Sequence, residues 1–252
     1  MKRCPKCNSL LAERHGLPYC PFCETSFPKD VLETQNGPNQ KSSHAKEIFN
    51  RACGGVFRTY NGVYQGTAFL IDKKKKLALT NTHVLFSSTS KNHLIRNNGD
   101  VILENGQIIP FKVLKSNPEM LHPKADTIQN DVAFIELSEI APNMVELPIA
   151  SKQVEVGENV YCLGNSLGRG IVLTQGIISA IHAKENSGGT DMIIADISTN
   201  VGNSGGPLLN EKGEVVGICV SSGKDSNGNI ADGMRYFIPI YSALAYLKGN
   251  NA

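Results

Sequence analysis

The run Gly202-Asn203-Ser204-Gly205-Gly206-Pro207 boxes a small hydroxyl between glycines and then passes into the apolar pair Leu208-Leu209. Glycines at that density favour backbone bent to positive φ or closely approached by another group. A nucleophilic serine needs such a turn, because successive backbone N–H groups must converge on the oxygen that becomes negative during acyl transfer. The tripeptide Ser-Gly-Gly recurs at Ser187-Gly188-Gly189, where Thr190-Asp191 follow and a hairpin loop is the reading. The tripeptide alone therefore leaves a plain turn open at Ser204 too. A serine nucleophile also requires a base within reach and a group that orients the base. Of the six histidines, His15, His44, His93, His122 and His182 lie in polar or loop-like surroundings with nothing local to hold them. His83 follows the apolar strand pattern of LALTNTHVLF, where a ring can be fixed at the rim of a barrel, although a rim histidine with no chemical duty fits the same place. Asp131 opens NDVAFIEL, a carboxylate at the mouth of an apolar strand. An ordinary strand-start aspartate, or Asp126 as orienter instead, remains open.

A second chemistry is written in the cysteines. There are seven, an odd number, and four form the pairs Cys4-Pro5-Lys6-Cys7 and Cys20-Pro21-Phe22-Cys23. Two residues between cysteines let both thiolates face one ion, and two such knuckles complete a tetrahedral four-sulfur shell. Structural zinc is expected, with a rubredoxin-like iron site as the alternative, and no metal is expected in catalysis. His15 lies on the hairpin between the knuckles, outside a shell that four thiolates already close. So short a segment has almost no core, so metal binding would supply its folding free energy. It either folds only itself or docks a protein partner. Seven Lys/Arg against five Asp/Glu over residues 1–50 is too mild a balance for a nucleic-acid face. Cys162 and Cys219 sit inside apolar strands and read as reduced core residues.

The elements that must position these groups are short strands: VYQGTAFLID, KLALTNTHVLF, DVILENGQIIPFKVLK, DVAFIEL, NVYCLGN, IVLTQGIISAIHA, DMIIADI, EVVGICVSSG and MRYFIPI. β-branched enrichment and turn-forming punctuation indicate an all-β barrel or sandwich, and only the tail IYSALAYLKGN suggests a helix. Lys73 to Lys76 read as the solvated turn of a hairpin. The polar segment after Pro28 reads as a linker, which divides the chain into residues 1–27 (metal ribbon), 28–46 (linker) and 47–252 (main domain). The 252 residues are 40% hydrophobic with a formal net charge of +2, which gives no push towards nucleic acid or membrane. No apolar run approaches membrane-spanning length, and the start MKRCPKCNSL has no apolar core, so a cytosolic chain is expected.

Taken in order, GTAFLID, LALTNTHVL, NDVAFIEL, VGENVYCLGNSLG, VLTQGIISAI, VGNSGGPLLNEKGEVVGI and YFIPI resemble the chymotrypsin-like serine proteases, and within them the HtrA (high-temperature-requirement) type. The likeness runs from about residue 54 to 247. It implies two six-stranded antiparallel β-barrels with a short C-terminal helix and the site in the cleft between the barrels. It also implies a triad in which His83 is general base and then acid, Asp131 orients it and Ser204 attacks. The oxyanion loop would be Gly202-Asn203-Ser204, with the N–H groups of Gly202 and Ser204 worth roughly 3–4 kcal/mol each. Asn203 stands where digestive enzymes carry an aspartate that needs a cationic partner, so activation by propeptide removal is not expected. The resemblance implies control by loop ordering and assembly instead. The chain stops at Ala252, which leaves no room for the PDZ domain many HtrA-type proteases add, and the ribbon is expected to take over regulation or targeting. Ser198, Thr199, Cys219, Val220 and Ser221 would wall the pocket before the scissile bond. They carry no charge, which favours small or aliphatic side chains. A serine endopeptidase acting on damaged proteins or a dedicated partner is the leading function. A catalytically idle peptide binder and a nucleic-acid-binding ribbon are the alternatives.

Overall fold

The computed structural model describes residues 12–14, 17–20, 24–27, 43–60, 65–89, 92–117, 130–181, 192–224 and 230–249. The chain divides into two units, residues 1–43 and 44–252. In the first, β1 (Ala12–Arg14), β2 (Leu17–Cys20) and β3 (Thr25–Ser26) form an antiparallel sheet in that order. Cys20 closes β2, whereas Cys4, Cys7, Cys23 and His15 lie outside the described residues.

The second unit opens with a helix, His44–Ala52, that the sequence reading missed. Its signal was slight: Ala45, Ile48 and Ala52 recur at helical spacing on an otherwise polar segment, and Ile48 and Ala52 are the residues it buries. His44, read as having nothing to hold it, donates from Nε2 to Glu211 O at 2.7 Å and sets its ring edge-on to Tyr161.

The first closed barrel is formed by β4 (Val56–Tyr60), β5 (Gln65–Asp72), β6 (Leu77–Thr80), β9 (Asn98–Ile102), β10 (Ile108–Lys115) and β11 (Ala133–Leu137). A separate hairpin, β7 (Phe86–Thr89) and β8 (Asn92–Ile95), precedes β9. The second closed barrel comprises β12 (Asn159–Gly164), β13 (Val172–Ile181), β14 (Ile193–Asp196), β15 (Pro207–Leu209), β16 (Val215–Lys224) and β17 (Ile230–Pro239). The helix Ile240–Lys248 follows. The all-β expectation of two six-stranded barrels holds, and Lys73–Lys76 form the turn between β5 and β6.

Period-two alternation explains why β4, β5, β6 and β11 each serve two cores. On β5, Ala68 and Leu70 point into the first barrel with Phe57, Ile109 and Ile135. Phe69, between them, joins a cluster that also takes Leu79 and Phe134 from the first barrel and Tyr161, Leu163, Ile218 and Val220 from the second. That shared cluster is completed by Ile48 and Ala52 of the first helix and Ala243 of the last. Each large apolar side chain in it contributes about 1.5–3 kcal/mol on burial, so the barrels are locked together by hydrophobic packing rather than by their few ion pairs. Any site made from both barrels inherits that rigidity.

Candidate active site

Register brings the first two polar groups together. β6 and β11 pair with Thr80 opposite Ala133. Two residues further out, this antiparallel pairing sets Asp131 beside Thr82, next to the single 3-10 turn His83–Leu85. Asp131 is 1% exposed. One of its carboxylate oxygens accepts the His83 backbone N–H at 3.0 Å, and the other accepts Nδ1–H of the ring. That contact assigns the proton to Nδ1 and leaves Nε2 as an acceptor. Burial is the largest influence on the imidazole and pushes its pKa down. The charge of Asp131 and the hydrogen bond to it act upward and together outweigh burial, so the pKa is raised above the usual 6.5.

Two buried side chains, Asn81 and Thr82, and one backbone amide, that of Asn117, hold this corner. Asn81 Nδ2 donates to Asp131 O at 2.6 Å, Thr82 Oγ1 donates to Val132 O at 2.9 Å, and Asn117 N–H donates to Thr82 Oγ1 at 3.1 Å. Sequence reading missed Asn81 and Thr82 as site residues. The available signal was that three polar residues, Thr80-Asn81-Thr82, end an apolar strand; the structure shows all three fully buried.

The serine turn is shaped largely by backbone hydrogen bonds. Asn203 N–H donates to Asn200 O at 3.0 Å, closing a turn in which Gly202 has φ +98°. A Cβ on Gly202 would run into Asn165 O, and one on Gly205, at φ +83°, would run into Thr67 O. Only glycine fits both. A trans peptide points its C=O and N–H in opposite directions, so fixing one fixes the other. Val201 O accepts Leu167 N–H at 2.8 Å, which turns the Gly202 N–H the other way. Asn203 O accepts Gly206 N–H at 2.8 Å, which does the same for the Ser204 N–H. Among the described residues, neither the Gly202 nor the Ser204 N–H donates a hydrogen bond. Asn203 differs from them, since its N–H is engaged in the turn. Its buried side-chain amide lies beside the Cys162 thiol.

Ser204 Oγ donates to Val220 O at 3.2 Å, and among the described residues no hydrogen bond joins it to His83. Of the other pocket candidates, Ser198 is exposed and Thr199 and Val220 are buried. Ser221 lies on β16 opposite Tyr236. Cys219 packs inside the second barrel with Ile193 and Phe237, facing away from the shared core that Val220 joins. Cys162 is in the same interior. The neighbouring Cys219 thiol and burial push its pKa well up, so it stays a thiol. Asp126, His122 and His182 lie outside the described residues.

Two barrels that meet at a buried Asp–His pair and a glycine-bent serine turn define the chymotrypsin-like class. The family described as Trypsin-like peptidase domain matches residues 66–218, and the chain belongs to it. The serine endoprotease DegS of Haemophilus influenzae is 31% identical over 84% of this chain and 58% of its own length. A probable periplasmic serine endoprotease, DegP-like, of Buchnera aphidicola is 31% identical over 84% of this chain and 42% of its own length. The chain thus spans about half the length of these relatives. The crystal structure of the serine endoprotease from Yersinia pestis aligns with TM-score 0.63 at 25% identity, covering 84% of this chain and 68% of that one. The HtrA-type resemblance read from the sequence stands at this level. The cytosolic expectation does not: relatives that match most of the chain are named periplasmic, and a missing apolar core in ten N-terminal residues is a poor guide to compartment.

Proposed function

We propose that the chain is a serine endopeptidase that cleaves protein or peptide substrates by acyl transfer. One observation carries this reading: in the turn that carries Ser204, the backbone N–H groups of Gly202 and Ser204 donate no hydrogen bond among the described residues, and the first barrel supplies an imidazole oriented by a buried carboxylate. His83 takes the Ser204 proton as general base and returns it to the leaving amine, Asp131 stabilises the imidazolium, and the two N–H groups receive the oxyanion. The hydroxyl must first leave Val220 O and turn towards His83 Nε2. The uncharged, buried Thr199 and Val220 support small or aliphatic residues before the scissile bond. The relatives' names support the periplasm as the place of action. For the N-terminal unit, Cys20 at the end of β2 and the spacing of Cys4, Cys7 and Cys23 support a zinc site of four thiolates, whose chemistry is structural.

A fluorophosphonate probe tests the reaction. The wild-type chain should label at Ser204 and cleave peptides with Ala or Val before the scissile bond faster than those with Lys or Arg. Ser204→Ala should neither label nor cleave, and the same preparation should carry about one zinc per chain. Labelling that survives Ser204→Ala would sink the assignment of the nucleophile.

A further inference from the structure

We infer that Thr67, on the first barrel, is a positioning residue for the oxyanion hole of the second. The inference rests on the acyl-transfer reading above. Thr67 is fully buried, and three of its four hydrogen bonds go to the nucleophile loop or to the Asn165 turn beside it. Its N–H donates to Ser204 O at 2.9 Å, and its carbonyl accepts Thr80 Oγ1–H at 2.7 Å. Its hydroxyl donates to Gly202 O at 2.6 Å and accepts the Asn165 N–H at 2.9 Å.

The hydroxyl thereby acts on both peptides of Gly202. It holds the peptide after Gly202 directly, through the carbonyl. It holds the peptide before Gly202 through Asn165, which begins the turn whose Leu167 N–H fixes Val201 O. The Gly202 N–H belongs to that second peptide. Glycine at positive φ has no side chain to resist rotation, so these carbonyl contacts are what keep its N–H aimed at the reacting oxygen. Without the hydroxyl, a buried carbonyl and a buried N–H would lose their partners, and the Gly202 peptide could relieve that loss by turning. The signal was present in the sequence as the threonine of GTAFLI, a hydroxyl within an apolar strand.

Thr67→Val keeps the branched shape and removes the hydroxyl, whereas Thr67→Ser keeps the hydroxyl and removes the methyl. Rates are taken per active site titrated with the fluorophosphonate, which excludes unfolded protein, and Thr67→Ala replaces the valine variant if the latter does not fold. The expected result is a kcat about 10- to 100-fold lower in T67V with KM within about threefold of wild type, a matching loss of affinity for a peptide boronate, and kcat restored to within about threefold in T67S. Equal kcat in T67V and wild type, or equal losses in T67V and T67S, would overturn the inference. A wild-type chain that neither labels nor cleaves would count against proteolysis itself, a separate outcome.

Discussion

On the first barrel the site is gripped by side chains: Asp131 by Asn81, and His83 by Asp131. On the second, the serine turn is shaped by backbone bonds between Asn200 and Asn203, Asn203 and Gly206, and Val201 and Leu167, with glycines where no Cβ fits. The difference follows from what each half must present. A base needs one tautomer and one ring orientation, which a carboxylate and its amide support provide. An oxyanion hole needs two amide N–H groups aimed at one point, which the path of the chain sets and the Thr67 hydroxyl, bonded to Gly202 O, braces. Damage to the first half should therefore fall on chemistry with the fold intact, and damage to the second should fall on both.

The largest effect expected from this contrast is in the first half. Asp131→Asn keeps a polar group of the same size beside the ring but removes the charge that stabilises the imidazolium and the acceptor that selects the Nδ1–H tautomer. By the yardstick of such triads, kcat should fall about 10⁴-fold while circular dichroism stays that of the wild type. Gly202→Ala comes next. Its Cβ meets Asn165 O at a φ of +98°, so the turn must shift. We expect kcat to fall about 10²- to 10³-fold, the yardstick for losing one oxyanion donor, together with a lower melting temperature. If G202A kept the wild-type melting temperature, the claim that no Cβ fits at this turn would fail.

The same contrast explains what the sequence disclosed. Side-chain chemistry is spelled in residue types, so His83, Asp131 and Ser204 could be singled out, and strand alternation made the barrels legible at GTAFLID and DVAFIEL. The glycines around Ser204 announced unusual backbone, but the amides of Gly202 and Ser204 could be named only through the family resemblance, because which amides are freed depends on acceptors such as Asn200 O and on donors such as Leu167 N–H, distant in sequence or indistinct in type. Thr67, Asn81 and Thr82 were missed for a related reason. A threonine in a strand is ordinary until its neighbours across the cleft are known. The helix His44–Ala52 was missed because its apolar stripe is only a few residues long and earns its stability from the core it covers.

The smallest effect separates charge from geometry through pH. The folded imidazole of His83 holds its proton more tightly than the unfolded one, because Asp131 outweighs burial. The pair's contribution to stability is therefore fully present below the unfolded imidazole value of about 6.5, and is lost as pH rises through the higher folded value. Activity runs the opposite way, since the base works only when neutral, and the acidic limb of kcat/KM should lie above the ordinary imidazole range. In Asp131→Asn only burial remains to act on the ring, and burial lowers its pKa. The gap in melting temperature between wild type and D131N should then narrow between pH 5.5 and 8.5, by a degree or two for a chain of this size. A gap that stays constant over that interval would mean that geometry, not charge, is what Asp131 supplies to the fold.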